Sequence, residues 1–175
     1  MRVLLAAACA LLMAAAAPDM ERLFAALKAA PGPIAAGAVE EQLLAAWHDQ
    51  ASPSVQILMD QAQTELVAGH TKEALANLDA ALVLQPAVAD LWRRRAEVQS
   101  ALGSDAGAAA DLAQALSREP RLLPALVDLS QFAEGRKNFK QAVAAWEKVL
   151  ELDPKVEKGA ARLERLKRKM NGEPI

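Results

Sequence analysis

Apolar residues recur along most of the chain at a spacing that places them on one face of an α-helix. Between residues 74 and 82, Ala74, Leu75, Leu78, Ala81 and Leu82 recur at positions i, i+1, i+4, i+7 and i+8. These positions follow the period of an α-helix, so their side chains share one face. Alanine and leucine are also strong helix formers. Similar stripes follow one another along the chain, and the pattern therefore predicts a protein built from helices.

The helical stripes repeat with a fixed period, which the even spacing of Pro86, Pro120 and Pro154 marks most clearly. Further columns keep the same spacing: Leu58, Trp92 and Leu126; Ala62, Ala96 and Ser130; Ala74, Ala108 and Ala142; Leu78, Leu112 and Trp146; Ala81, Ala115 and Val149; Leu82, Leu116 and Leu150. Such self-similarity is typical of repeat proteins. It predicts three helix–turn–helix units, at 55–88, 89–122 and 123–156.

The unit resembles the tetratricopeptide repeat, a helix–turn–helix unit whose length equals this period. The aromatic or leucine column, both alanine columns and the closing proline match that family. Glu65, Gln99 and Ala133 depart from it, because the family usually places tyrosine there. The resemblance implies an all-α solenoid whose first helices line a concave surface that binds a protein or peptide.

The segments on either side of the repeats are also predicted to be helical. Residues 18–54 are out of phase with the repeat and predict a helical hairpin that caps or docks on the first unit. An eroded fourth repeat is the alternative. The sequence predicts a helix over 155–171. It assigns residues 157–175 to a C-terminal capping helix and tail. The basic residues of this helix favour a solvated cap over a surface for an acidic partner or anionic lipid; they are Lys155, Lys158, Arg162, Arg165, Lys167, Arg168 and Lys169.

Residues 1–17 have the layout of a cleavable export signal. Arg2 precedes an apolar run that contains Cys9 and ends in small residues, with a cleavage site expected after Ala16. The sequence therefore predicts an exported, periplasmic protein with no stable membrane span after cleavage. A protein anchored in the membrane by an uncleaved N-terminal segment is the alternative.

Composition and motifs argue against several classes of function. The chain carries 20 basic and 22 acidic residues, for a net charge of −2, which disfavours a nucleic-acid binder. One cysteine and two histidines, His48 and His70, are too few for a zinc site made by the protein alone. No nucleophile, phosphate-binding or metalloprotease motif is present. We therefore expect no enzyme activity, no catalytic residue, no metal and no cofactor.

Binding through the concave surface is the function that these observations favour. Met59, Leu66 and Val67 would accept an apolar side chain of the partner, and Arg93 would pair with a partner carboxylate. The resemblance implies these groove positions: Gln56, Met59, Gln63, Leu66, Val67, Asp90, Arg93, Glu97, Ser100, Ala101, Val127, Gln131 and Glu134. The leading hypothesis is a non-enzymatic scaffold that binds a protein or peptide of the cell envelope. The alternative is a structural protein that forms homo-oligomers through its terminal helices.

Overall fold

The computed structural model describes residues 19–173, and the predicted export signal, including Cys9, lies outside this range. Within it, the chain forms nine α-helices: α1 (Met20–Ala29), α2 (Pro33–His48), α3 (Pro53–Val67), α4 (Thr71–Leu84), α5 (Ala89–Ala101), α6 (Asp105–Arg118), α7 (Leu123–Gly135), α8 (Phe139–Leu152) and α9 (Gly159–Met170). None of these helices combines the length and the apolar character needed to cross a membrane.

The repeats form three stacked helix pairs, α3–α4, α5–α6 and α7–α8. The second helix of each pair packs on the first helix of the next unit, and α3, α5 and α7 lie side by side. The turns inside the pairs contain a left-handed residue at equivalent positions, namely Gly69, Gly103 and Lys137. Glycine adopts this conformation readily, whereas a lysine there carries strain. The predicted all-α solenoid of three units is confirmed.

Small side chains let the two helices of each pair approach closely. Ala74, Ala108 and Ala142 lie about one turn into the second helices and are buried. In the third pair, the Ser130 hydroxyl donates a hydrogen bond of 3.0 Å to the carbonyl oxygen of Ala142. A larger residue in these columns would force the helices apart, because such cores are already closely packed.

The N-terminal hairpin, α1 and α2, packs its apolar side chains on the second and third repeats, whereas the sequence suggested the first, which it meets through hydrogen bonds from Gln56 to the carbonyl oxygens of His48 and Ala51. Its buried residues Phe24, Leu27 and Trp47 share one apolar cluster with the second and third repeats, including Leu122. α2 contacts α5 and α1 contacts α8. The core of the first repeat is a separate cluster. Because the hairpin lacks the repeat's alanine columns, it has no surface for stacking as a preceding unit and instead packs its bulky side chains across two later ones.

The C-terminal helix begins later than its sequence pattern suggested. α9 starts at Gly159, after a turn in which Lys158 has a left-handed backbone conformation. It packs on α8 in the position that the first helix of a fourth unit would take. Gly159 allows this approach, because a Cβ there would lie 2.7 Å from Cδ2 of Leu150. The basic residues of α9 mostly serve the fold: Arg162 and Lys169 pair with Glu134, and Lys167 pairs with Glu147.

Candidate binding cleft between the second and third repeats

A cleft of about 500 Å³ opens between the second and third repeats. The C-terminal halves of α5 and α7 and the N-terminal half of α6 form its walls. Its volume falls within the range of about 300–1,000 Å³ that is typical of ligand sites. It is lined by Ala96, Glu97, Ser100, Ala101, Asp105, Ala108, Leu112, Asp128, Gln131, Phe132, Gly135 and Arg136.

The equivalent junction between the first and second repeats is nearly closed. The space there is only about 10 Å³, although most of its lining residues stand one repeat period before residues that line the cleft. Leu66 and Arg94 line that junction. Their equivalents at the open junction are Ser100 and Asp128, which have shorter side chains. The cleft therefore opens because two large side chains are replaced by two small ones.

The same two positions can be compared at the junction between the third repeat and α9. The residues equivalent to Ser100 and Asp128 are Glu134 and Arg162, and their side chains form an ion pair of 3.0 Å across that junction. Ser100 and Asp128 are thus the shortest pair among the three equivalent positions.

The cleft combines an apolar floor with an acidic rim. The floor consists of apolar side chains, chiefly those of Ala96, Ala108 and Phe132. Three carboxylates, Glu97, Asp105 and Asp128, face one guanidinium, that of Arg136. Arg136 pairs with Asp105 across the mouth. The rim therefore has more negative than positive charge.

A network of charged side chains lies next to the cleft on α5. Arg93 contacts Asp128, with 3.3 Å between Nη1 and Oδ2, and also pairs with Asp90 and Glu97. Arg94 pairs with Asp90 at 2.7 Å. Burial alone would raise the pKa of Asp90, but the two guanidinium groups outweigh it and hold that pKa below its usual value. Asp90 is therefore fully compensated.

Asp128 is less well compensated than Asp90. Burial raises the pKa of the Asp128 carboxyl above its usual value, and the charges of Glu97 and Asp90 add to the effect. Arg93 opposes this rise in pKa without cancelling it, because it also serves two other carboxylates. Additional positive charge at the cleft would thus stabilise the ionised form of Asp128.

The residues predicted for the groove are divided between the cleft and other parts of the fold. Of the predicted positions, Glu97, Ser100, Ala101 and Gln131 line the cleft together. Met59, Gln63 and Leu66 lie at the nearly closed junction. The remaining positions lie elsewhere: Gln56, Val67, Asp90, Arg93, Val127 and Glu134.

Several of these residues are already used by the fold. Met59 has no exposed surface, so its expected contact with a partner is wrong. Arg93 is paired with three carboxylates and only 13% exposed, so it is not available to a partner carboxylate as expected. Gln56 donates hydrogen bonds to the carbonyl oxygens of His48 and Ala51, which join α2 to α3.

The other non-cleft positions divide in the same way. Val127 packs against the main apolar cluster, and Glu134 binds Arg162 and Lys169 of α9. Val67 is 80% exposed, but it does not line either junction. An apolar contact at Val67 stays a prediction.

Eight lining residues were missing from the predicted set: Ala96, Asp105, Ala108, Leu112, Asp128, Phe132, Gly135 and Arg136. The signal for Asp128 is present in the sequence. Comparison of equivalent positions across the repeat period shows arginine, aspartate and arginine at 94, 128 and 162. A change from a long basic side chain to a short acidic one marks the open junction.

Comparison with known proteins agrees with this fold. No protein-family model matches the chain. The sequence is 28% identical over 135 residues to a TPR repeat-containing protein of Rhizobium etli. That alignment covers 77% of this chain and 66% of the relative, so the chain spans slightly less than two thirds of the relative's length.

Solved structures of tetratricopeptide-repeat domains are also similar. The first TPR of Spaghetti (RPAP3) bound to the HSP90 peptide SRMEEVD has a TM-score of 0.63 and 19% identity, over 69% of this chain and 95% of that one. The Sgt2 TPR domain from Aspergillus fumigatus has a TM-score of 0.63 and 25% identity, over 71% and 87%. The TPR2B domain in the pHsp70 complex of yeast Sti1 has a TM-score of 0.60 and 18% identity, over 69% and 98%.

The protein thus has the fold of a tetratricopeptide-repeat solenoid. The shared fold and the similarity to the Rhizobium etli protein support that repeat family for this chain.

Proposed function

We propose that this protein is a non-enzymatic scaffold that binds a segment of another protein in the cleft between its second and third repeats. The observation that carries the proposal is the contrast between two equivalent junctions, one of about 500 Å³ and one of about 10 Å³. The similar Spaghetti and Sti1 domains were solved with a peptide and in a complex, respectively, which is consistent with such a role.

The test closes the cleft with the residue found at the equivalent position of the first repeat. Peptides are first selected from a random library on the purified protein. Their affinities for the wild type and for Ser100→Leu are then measured by calorimetry. Leucine fills the space without changing the charge, so we expect binding to weaken by roughly tenfold or more.

Ser117→Leu is the matched control, because Ser117 lies on α6 and does not line the cleft. It should bind the peptides as the wild type does. Equal affinity of wild type and Ser100→Leu, or no selected peptide at all, would contradict the proposed site.

We further propose that the partner belongs to the cell envelope, since residues 1–17 have the pattern of an export signal. Intact mass of the protein recovered from the periplasm of a bacterial host tests this point. The expected product begins at Ala17. Recovery of the full-length chain from the cytoplasm alone would contradict export.

Self-association through the terminal helices is less well supported than a monomeric scaffold. The hairpin already packs on the second and third repeats, and α9 packs on α8 of the same chain. Most of their large apolar side chains are therefore buried within one molecule, while Ile34, Leu44 and Met170 stay exposed. Light scattering should give one mass, that of a monomer, at all concentrations, and a mass that rises with concentration would favour self-association instead.

A further inference from the structure

We infer that the cleft selects a cationic peptide segment, in which a lysine or arginine stands next to an apolar residue. This inference rests on the proposed function. The cationic group would lie at the rim beside Glu97 and Asp128, and the apolar side chain would lie on the floor. This inference adds the chemistry of the partner to the proposed function.

The rim is acidic in a way that the other junctions are not. Gln63 and Gln131 occupy the positions equivalent to Glu97, so the acidic side chain there is particular to the second repeat. Asp128 likewise stands where the neighbouring junctions have Arg94 and Arg162. Both exchanges make the second junction more negative than its equivalents, and both occur at the junction that is open.

The neighbouring arginine does not neutralise this rim. Arg93 is shared among Asp90, Glu97 and Asp128, and Arg94 is held by Asp90. A guanidinium or ammonium group from a partner would supply the missing positive charge. Complementary charge of this kind favours one class of partner and disfavours the opposite one.

The floor sets the second requirement. Ala96, Ala108, Leu112 and Phe132 present apolar atoms at the bottom of the cleft. Burial of an apolar side chain there would stabilise the complex by the hydrophobic effect, which a purely cationic segment would not provide. A segment with both features therefore fits best.

The similar Spaghetti domain was solved with the peptide SRMEEVD, which contains three acidic residues and one basic residue. Such a peptide would bring negative charge to the three rim carboxylates. We therefore expect this chain to reject acidic segments, although the fold is shared.

The composition of peptides selected from an unbiased library gives the first test. Peptides enriched on the wild type but not on Ser100→Leu should contain lysine or arginine beside leucine, isoleucine, valine or phenylalanine. Enrichment of acidic or uncharged peptides would overturn the inference while leaving the proposed cleft intact. No difference between wild type and Ser100→Leu would overturn both.

Charge reversal at the rim gives the second test. The best selected peptide, labelled for fluorescence polarisation, is titrated with wild type and with Glu97→Lys. Position 97 tolerates exchange, because its side chain is 45% exposed and its equivalents are glutamines. We expect binding to weaken by about fivefold or more, since an attraction becomes a repulsion.

Glu151→Lys changes the net charge by the same amount at an exposed position on α8 outside the cleft. It should alter the affinity by less than about twofold. Equal weakening by both variants would show a general effect of protein charge and would overturn the assignment to the rim. Unchanged affinity of Glu97→Lys would overturn it as well.

Discussion

At the scale of single residues, a few exchanges between equivalent positions decide which junction of the solenoid is open. Leu66 and Ser100 occupy the same place in successive repeats, as do Arg94 and Asp128. The larger pair leaves about 10 Å³ and the smaller pair about 500 Å³. Side-chain length at two columns therefore shapes the surface while the backbone repeat stays the same.

Single residues also hold the repeats together through an ion-pair network on α5. Arg95 donates two hydrogen bonds, of 2.8 and 2.7 Å, to the buried carboxylate of Asp111. It donates a third, of 2.8 Å, to the exposed Asp79, and its guanidinium lies 4.9 Å from the ring centre of Trp92. Such paired bonds to a buried carboxylate are among the stronger ones in proteins.

We expect Asp111→Ala to lower the free energy of unfolding by about 2–3 kcal/mol, because it removes two charge-assisted hydrogen bonds in a buried setting. Asp79→Ala, at an exposed partner of the same arginine, should cost less than about 1 kcal/mol. Urea denaturation followed by circular dichroism measures both. Equal costs for the two variants would contradict the assigned importance of Asp111.

At the scale of helices, a carboxyl pair joins the hairpin to the repeats. Glu40 on α2 lies beside Asp153, a fully buried residue in the turn after α8. The Asp153 Oδ1 atom accepts a hydrogen bond from the backbone N–H of Lys155. Its Oδ2 atom is buried and accepts no N–H bond within residues 19–173, which leaves it available to a protonated Glu40.

The pair makes hairpin docking depend on pH. Burial, together with the hydrogen bond to Asp153 and its charge, raises the pKa of Glu40 from 4.5 to about 7. A group with a raised folded-state pKa contributes stability that is present below its unfolded value and lost as the pH rises through the folded one. The contribution of Glu40 is therefore complete below about pH 4.5 and disappears above about pH 7.

We expect Glu40→Gln to keep the hydrogen bond and remove this part of the pH dependence. Hydrogen exchange of the α1 and α2 amides, corrected for the intrinsic effect of pH, should show wild-type protection falling as the pH rises from about 4.5 to about 7. Protection of the Glu40→Gln variant should fall less. Identical pH profiles for the two proteins would contradict the role of the pair.

A second element-scale contact attaches α9. The indole N–H of Trp146 donates a hydrogen bond of 2.9 Å to the carbonyl oxygen of Gly159, and Arg162 lies 4.7 Å above the ring. Trp146→Ala should lower the free energy of unfolding by about 3–5 kcal/mol, as for other large buried side chains. Trp146→Phe should cost clearly less in the same urea titration. Equal losses of unfolding free energy in Trp146→Ala and Trp146→Phe would contradict the stabilising role of the buried aromatic ring.

The helices themselves were largely predictable from the sequence, and their arrangement only in part. The evenly spaced columns predict the pairs because Ala74 and its equivalents form local contacts at a fixed period. The hairpin's position was not predictable in this way. Phe24 and Trp47 meet Leu122 across a long stretch of chain, and no periodicity connects them. Met59 was assigned to the groove from its position in the repeat. That position does not reveal whether the side chain is exposed in the groove or buried in the core, and here it is buried.

At the scale of the whole molecule, the described residues form two apolar clusters of unequal extent. The smaller contains the first repeat, and the larger joins the hairpin, the second and third repeats and α9. The cleft lies in the larger cluster, since its lining residues Ala96 and Leu112 belong to that cluster. The hairpin and α9 therefore brace the two repeats that form the cleft, and a rigid site loses less entropy on binding.

The central claim is that the partner binds in the cleft. Chemical-shift mapping by NMR tests this claim most directly. A library-selected peptide is titrated into the isotope-labelled protein, and the shifted amides are assigned. Shifts should concentrate at 96–101, 105–112 and 128–136, and they should vanish in Ser100→Leu. Shifts concentrated on the hairpin, on α9 or on the exposed faces of α4, α6 and α8 would contradict the claim.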